Sequence, residues 1–321
     1  MSALTSTDVL RLGTRRSALA MAQASGVADA LRARGHDVEV VGVTTEGDRS
    51  AGVGTPVADA GGTGVFVAEL RVRLLAGEVD LVVHSLKDLP TAAADGLVVA
   101  AIPPREDPRD ALVSRDGRAL ADLPPGARVG TGAPRRVAQL RAARPDLDVR
   151  PLRGNVDTRL RKVADGEFDA IVVAAAGLAR LGRLAEATEL LAPATMLPAP
   201  GQGALAIECR AVDLEPESAL AQAISSLDDA ATRAAVVAER TLLAELEAGC
   251  TAPVGALAKV EGEPANLQLV AAVVNVDGAT AIRRSASGPI AQPVELGRRL
   301  AAELLAAGAA GILGGPTPSA H

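Results

Sequence analysis

The sequence predicts an α/β protein: two lobes of mostly parallel sheet joined by a double crossover, plus a third, smaller α+β domain. Three observations predict it. Short apolar runs alternate with segments of helical period from the amino terminus onward, which is the pattern of βα units and a parallel sheet. Two proline-rich segments, Pro103-Pro-Arg-Glu-Asp-Pro108 and Pro193-Ala-Thr-Met-Leu-Pro-Ala-Pro200, interrupt the alternation; proline removes a backbone donor and restricts the residue before it, so neither continues a strand or a helix. From Asp228 the texture changes to one long amphipathic helix followed by a run of strands.

The elements follow in order. Val9-Leu12, Val38-Thr44, Leu81-His84 and Leu97-Ile102 read as strands, and Ala18-Arg34 and Val65-Ala76 carry the connecting segments. Pro103-Pro108 reads as a hinge. A second series then runs through a strand at Val129, a helix from Pro134, a strand at Asp148-Arg150, a helix at Val156-Asp165 and a strand at Ala170-Val173. After the second proline segment, Gly201-Gln-Gly203 leads into a strand at Ala204-Cys209, whose simplest placement is back in the first lobe. In the last part Asp228 is the expected N-cap of a helix from Asp229 to Ala248, with Gly249 at C′. Strands near Val254-Val260, Leu267-Val274 and Ala281-Ser285 and a helix near Val294-Ala307 complete it. The expected domains are 1–103 with 201–222, then 108–197, then 226–321.

Composition narrows the function. The 321 residues exceed what one core supports. A formal charge of -6, two Phe and neither Trp nor Tyr argue against a nucleic-acid partner, because there is almost no aromatic surface on which bases could stack. No stretch approaches the roughly 18 apolar residues of a membrane span, and Met1 to Ser17 has no apolar signal core, so the expectation is a cytoplasmic protein with no membrane partner. Two cysteines and three scattered histidines show neither a disulfide framework nor metal-ligand spacing.

Lys87 is one of three lysines beside thirty arginines, and it precedes Asp88 in Asp80-Leu-Val-Val-His-Ser-Leu-Lys-Asp-Leu-Pro90. A lysine and a carboxylate at the carboxyl end of a buried strand stand where open α/β sheets place ligand chemistry; the plainer reading is a solvated ion pair. Arginines crowd three small-residue turns at helix starts: Gly13-Thr-Arg-Arg-Ser17, Gly130-Thr-Gly-Ala-Pro-Arg-Arg136 and Leu152-Arg-Gly-Asn-Val-Asp-Thr-Arg159. A cation at the positive end of a helix is unfavourable unless an anion sits between. Guanidinium forks suit carboxylates, so a ligand with several carboxylates satisfies all three turns. An Arg-rich composition scattering arginines over solvated faces is the alternative.

The glycine-rich segments are not dinucleotide sites. Gly130-Thr-Gly132 lacks a third glycine, and Gly201-Gln-Gly203 precedes its strand instead of following one. Cys209 lies in an apolar strand and reads as a small buried hydrophobe. Cys250 follows a helix end in a loop, where the helix dipole raises rather than lowers a thiol pKa, so it suits only a strongly electrophilic partner.

Taken together, His84-Ser-Leu-Lys-Asp88, Arg105-Glu-Asp-Pro-Arg-Asp110, Arg135-Arg136, Leu152-Arg-Gly-Asn155 with Arg159, Gly177-Leu-Ala-Arg-Leu-Gly182, Pro200-Gly-Gln-Gly203 and Glu247-Ala-Gly-Cys250 resemble the porphobilinogen deaminase (hydroxymethylbilane synthase) family over nearly the whole chain. The resemblance implies a periplasmic-binding-protein-like pair of lobes, a monomer, and a dipyrromethane cofactor attached covalently through Cys250. It also implies condensation of four porphobilinogen molecules with loss of ammonia to give hydroxymethylbilane. In those terms Asp88 is the catalytic carboxylate that stabilises a cationic azafulvene. Cofactor contacts fall to Lys87, Ser17, Ser85, Thr131, Arg135, Arg136, Arg153, Arg159 and Gln202, and substrate contacts to Arg15 and Arg180. The chain departs from the family at Asp59 and Thr63, where many members carry lysine, and at Gly132-Ala133, a common Ser-Ser pair. The glycine-dense stretch Glu46 to Gly64 reads as a mobile lid whose cationic contacts do not carry over. A two-lobed anion receptor is the rival class; it leaves Asp88 and Cys250 without roles and needs an export signal.

Overall fold

The computed structural model describes residues 9–43, 64–215, 218–249, 251–262 and 265–314. In chain order the first elements are β1 (Leu10–Arg15), α1 (Ala18–Arg32), β2 (Val38–Val43), α2 (Gly64–Leu75), β3 (Leu81–Ser85) and β4 (Leu97–Ala101). Next come β5 (Asp110–Ser114), β6 (Arg128–Thr131), α3 (Pro134–Ala143), β7 (Asp148–Pro151), α4 (Val156–Ala164), β8 (Ala170–Ala174), α5 (Ala175–Arg180) and β9 (Glu189–Leu190). The remainder is β10 (Leu205–Arg210), α6 (Ala219–Ser225), α7 (Ala230–Glu245), β11 (Val254–Glu261), β12 (Asn266–Val274), β13 (Ala281–Pro289), α8 (Pro293–Ala306) and α9 (Ala309–Leu313). The chain divides into two compact units. The first runs to Glu106 and takes in Ala179–Gly182 and Gly203–Arg233; the second holds Asp107–Leu178, Arg183–Gln202 and the described residues from Ala234 onward.

The first unit is built on a sheet of order β2-β1-β3-β10-β4. Strands β2, β1 and β3 are parallel, and β10 runs antiparallel between β3 and β4. Leu81 and Val83 face one core with Leu12, Leu31 and Ile207, while Val82 faces the other with Leu70 and Leu74. Strand β3 is therefore apolar on both sides, as a central strand covered by helices must be. The second unit repeats the plan in the order β7-β6-β8-β5-β9, with β5 antiparallel to both neighbours. Each antiparallel intruder, β5 and β10, is the strand that follows a proline-rich crossover. Strand β5 was not anticipated from sequence: it opens on Asp110 two residues after Pro108, and the polar start disguised the buried run Ala111-Leu112-Val113.

The third sheet is an antiparallel meander, β11-β12-β13, with a core of its own under α7 and α8. It belongs to the second unit. Glu239, fully buried on α7, accepts hydrogen bonds from Gly201 N (2.7 Å) and Ala258 N (2.8 Å), tying the second proline-rich segment to β11. The hairpin between β12 and β13 lies against α3, where Arg141 donates to the Val276 carbonyl at 2.9 Å.

Two expectations about α7 need correction. Its N-cap is Asp229, whose carboxylate accepts from Thr232 N at 2.7 Å; Asp228 instead accepts from Ile102 N and from Arg233. The helix also stops earlier than Gly249. Glu247 takes the left-handed conformation at φ 51°, and Glu247 N to Ala244 O and Ala248 N to Leu243 O close the last turn. That is the C′ geometry usually given to glycine, here adopted by glutamate.

Candidate functional site

Two groups of the expected residues gather at sheet edges, one in each unit. In the first unit β1 ends at Arg15, Ser17 caps α1 by accepting from Ala20 N at 3.3 Å, and β3 ends at Ser85. A single 3-10 turn, Leu86–Asp88, follows. Leu86 and Leu89 are buried on either side of it, which pins the turn and leaves Lys87 and Asp88 half-buried at the carboxyl edge of the sheet. Gln23, on the buried face of α1, donates from Nε2 to Ser85 Oγ at 2.9 Å and so fixes the end of β3 against the helix.

Behind the turn lies a buried charged network. His84 Nε2 sits 3.2 Å from Glu208 Oε2, and Arg71 binds the same carboxylate through Nε (3.0 Å) and Nη2 (2.8 Å). Burial alone would raise the Glu208 pKa; the hydrogen bonds from His84 and Arg71 outweigh it and hold the carboxyl below its ordinary range. In the same unit Arg180 Nη2 donates to Gly203 O at 2.6 Å, and Glu106 N donates to that carbonyl as well. Burial pulls the Arg180 pKa down, against the raising effect of Glu106.

In the second unit Thr131 ends β6, Pro134 opens α3, and Asn155 caps α4 by accepting from Thr158 N at 2.9 Å. Gly132 is the tight point: a Cβ there would lie 2.7 Å from the Leu152 carbonyl, so in this backbone the position takes no side chain. Arg135 and Arg136 are both buried, and the anion between them is the protein's own. Asp110 Oδ2 accepts from Arg135 Nη1 at 2.8 Å, and Oδ1 accepts from Arg136 Nε and Nη2 at 2.9 and 2.7 Å. Gln202 adds a bond from Nε2 to Oδ1 at 2.9 Å and another to Pro108 O at 2.7 Å. Asp110 is completely buried, which by itself would raise its pKa, yet the two guanidiniums and Gln202 hold it well below the carboxylate range.

Arg159 stands apart from that pair. It is half-buried, and its Nε donates to Gly154 O at 2.8 Å. Among the described residues it makes no ion pair, and both burial and the nearby Arg136 depress its pKa. Arg153 is exposed. Cys250 and the stretch 46–63, including Asp59 and Thr63, lie outside the described residues. Among the described residues no group of three or more His, Cys, Asp or Glu could hold a metal, and no helix is long and apolar enough to cross a membrane.

The family described as porphobilinogen deaminase, dipyromethane cofactor binding domain, matches residues 10–218, and the family described as porphobilinogen deaminase, C-terminal domain, matches residues 233–306. The chain belongs to the porphobilinogen deaminase family. Similar relatives include the porphobilinogen deaminase of Acidothermus cellulolyticus, 58% identical over 316 residues covering 98% of this chain and 94% of the relative. That of Nocardia farcinica is 58% identical over 320 residues, covering 98% and 90%, and porphobilinogen deaminase 1 of Streptomyces coelicolor is 57% identical over 317 residues, covering 95% and 97%. Among solved structures, a periplasmic substrate-binding protein of an ABC transporter from Coxiella burnetii aligns at TM-score 0.42 and 14% identity over 68% of this chain and 91% of that one. A nutrient binding protein from Burkholderia cenocepacia bound to methionine aligns at TM-score 0.42 and 14% identity over 67% and 90%.

Asp110, Gln23 and the His84–Glu208–Arg71 network escaped the site assignment made from the residues of this family member. Asp110 carried a usable signal: a carboxylate opening the apolar run Ala111-Leu112-Val113 must find a cation inside the protein. Gln23 carried none, since a glutamine on an amphipathic helix reads as surface.

Proposed function

We propose that this enzyme condenses four porphobilinogen molecules head to tail with release of ammonia, giving hydroxymethylbilane, and that a dipyrromethane group joined to Cys250 by a thioether primes it. One observation carries the reading: in the second unit Arg135 and Arg136 are buried on a single carboxylate, Asp110, while the half-buried Arg159 near Arg136 makes no ion pair among the described residues. A surplus of buried or half-buried guanidinium is unfavourable alone and fits a group that brings carboxylates. Each porphobilinogen brings an acetate and a propionate, so both the cofactor and the growing chain meet that requirement.

When bound, the dipyrromethane supplies the electron-rich pyrrole carbon on which the chain grows. Arg135, Arg136, Arg153 and Arg159, with Thr131, Gln202, Ser17, Ser85 and Lys87, would hold its carboxylates and orient it; Arg15 and Arg180 would hold those of the substrate. Asp88 is half-buried beside Lys87 on a turn pinned by two leucines, and its carboxylate would stabilise the positive charge that develops as the carbon–nitrogen bond of the substrate breaks and ammonia leaves. The half-burial limits water around that carboxylate without removing it from the edge of the sheet. The three-domain division 1–103 with 201–222, 108–197 and 226–321, a monomeric state, a cytoplasmic location and a place in tetrapyrrole biosynthesis belong to the same proposal.

Intact mass spectrometry tests it. Protein made in cells that synthesise porphobilinogen should exceed the sequence mass by two pyrrole units, retain that mass on denaturation, and lose it in Cys250→Ser but not in Cys209→Ser. A wild-type protein that keeps the bare sequence mass after incubation with porphobilinogen overturns the reading and returns the chain to the anion-receptor class.

A further inference from the structure

We infer that Asp110 is a positioning residue for the reaction, the fixed point that aims the Arg135 and Arg136 guanidiniums and ties both crossover segments to them. The inference rests on the reading above that these arginines meet ligand carboxylates. Asp110 sits at the first position of β5, directly after the Pro103–Pro108 segment, and no part of it reaches solvent. Its two oxygens divide the work. Oδ2 takes Arg135, while Oδ1 takes the Nε and Nη2 edge of Arg136 together with Gln202.

The outer ends of this cluster are fixed as well. Arg135 Nη1 also donates to Leu197 O, in the second proline-rich segment, and Gln139 clasps Leu197 from both sides: its Nε2 donates to Leu197 O at 3.0 Å and its Oε1 accepts from Leu197 N at 2.8 Å. Arg136 Nη1 donates to Val172 O on β8 at 3.1 Å. Gln202 Nε2 reaches Pro108 O, so one side chain of the second crossover holds the backbone of the first. Removing the Asp110 charge would therefore loosen two arginines and one glutamine at once, each of which also holds a backbone carbonyl.

Charge and geometry make opposite forecasts, which is what exposes a positioning role. Asp110 is an anion inside a site for anions. If only net charge mattered, neutralising it would strengthen the hold on ligand carboxylates, since a competing negative charge is gone. If it positions the guanidiniums, neutralising it weakens that hold even though the site becomes more positive, because fork geometry is lost.

The test compares Asp110→Asn with wild type as full-length proteins. Both are incubated with porphobilinogen, the cofactor-loaded fraction is read by intact mass, and kcat and KM are normalised to that fraction. The inference predicts at least a tenfold rise in KM with kcat of the loaded molecules within about threefold of wild type, and slower loading. An unchanged or lowered KM in Asp110→Asn overturns it. Should Asp110→Asn fail to fold, Asp110→Glu decides: it keeps the negative charge and shifts by one methylene the oxygens that aim Arg135 and Arg136. A three- to tenfold rise in KM at a native melting temperature supports the inference, and a wild-type KM overturns it. Failure of the functional reading looks different, because then wild type itself neither gains mass nor turns over.

Discussion

Arg136 meets Asp110 edge-on: Nε and Nη2 both donate to the same carboxylate oxygen, at 2.9 and 2.7 Å, while Nη1 turns away to the Val172 carbonyl. All three guanidinium nitrogens are thus engaged inside the second unit. Lysine cannot reproduce the arrangement, having one nitrogen in place of a planar fork. Arg136→Lys should leave the Val172 carbonyl and part of Asp110 unsatisfied in a buried site, at a cost of about 2–4 kcal/mol. Urea unfolding checks this, and a loss under about 0.5 kcal/mol, the ordinary size for surface substitutions, would contradict the buried geometry.

Asp88 lies on a turn held by its neighbours Leu86 and Leu89, so its own side chain has little structural duty. Asp88→Asn should preserve the unfolding transition and the cofactor mass while lowering kcat by several powers of ten, the scale of losing one preorganised charge at a developing cation. Near-normal turnover in this variant would remove Asp88 from the chemistry.

Arg159 and Arg298 make a matched comparison. Arg159 is half-buried beside Arg136, whereas Arg298 is exposed on α8 and paired with Glu245 at 3.1 Å. Arg159→Leu should impair cofactor loading or chain elongation at least tenfold, because a ligand carboxylate loses its partner; Arg298→Leu should change either by less than twofold. Equal effects at the two positions would mean that the arginines reflect composition alone.

The alternation of β1, α1, β2 and β3 is legible because apolar period and burial coincide there: Leu10, Leu12, Leu81 and Val83 all lie in one core. Cys209 was legible for the same reason; burial pushes its thiol up to about 12. What escaped notice is non-local. The partner of Arg135 and Arg136 is some 25 residues upstream, in a strand hidden by its polar first residue. An anion does sit between Arg135 and Arg136, but it is Asp110, and sequence spacing cannot say whether such an anion is a ligand or an aspartate. The end of α7 failed differently. Glycine is the usual left-handed residue, so Gly249 drew the boundary that Glu247 makes.

Asp169 provides a pH test away from the site. Arg128 grips it through Nε (3.0 Å), Nη2 (2.8 Å) and its backbone N–H (2.9 Å), and these bonds lower the Asp169 pKa from 3.8 to about 2. A carboxylate whose folded pKa is depressed contributes stability above its unfolded pKa and loses it as pH falls through the folded one. The window here is from about 3.8 down to about 2. A quarter of the side chain stays in water, so the contribution is screened to about 1 kcal/mol. Asp169→Asn should lower stability by that amount at pH 7, and the gap from wild type should shrink below pH 4; a gap independent of pH would contradict the assignment.

Gly278 closes the hairpin that lies against α3. Its φ is +79°, and a Cβ there would stand 2.5 Å from Ala142 N and 2.7 Å from the Arg141 carbonyl carbon, both backbone atoms that cannot swing away. Gly117 has a similar φ of +69° but open space around it. The left-handed conformation alone costs a β-carbon roughly 1–2 kcal/mol, so Gly117→Ala should lose about that much. Gly278→Ala adds overpacking against backbone, about 1–3 kcal/mol more, and should also break the Arg141 bond to the Val276 carbonyl. Urea midpoints of the two variants separate the contributions: equal losses would mean that the hairpin does not press on α3, whereas a clearly larger loss at Gly278 identifies it as the contact by which the third sheet grips the helix carrying Arg135 and Arg136.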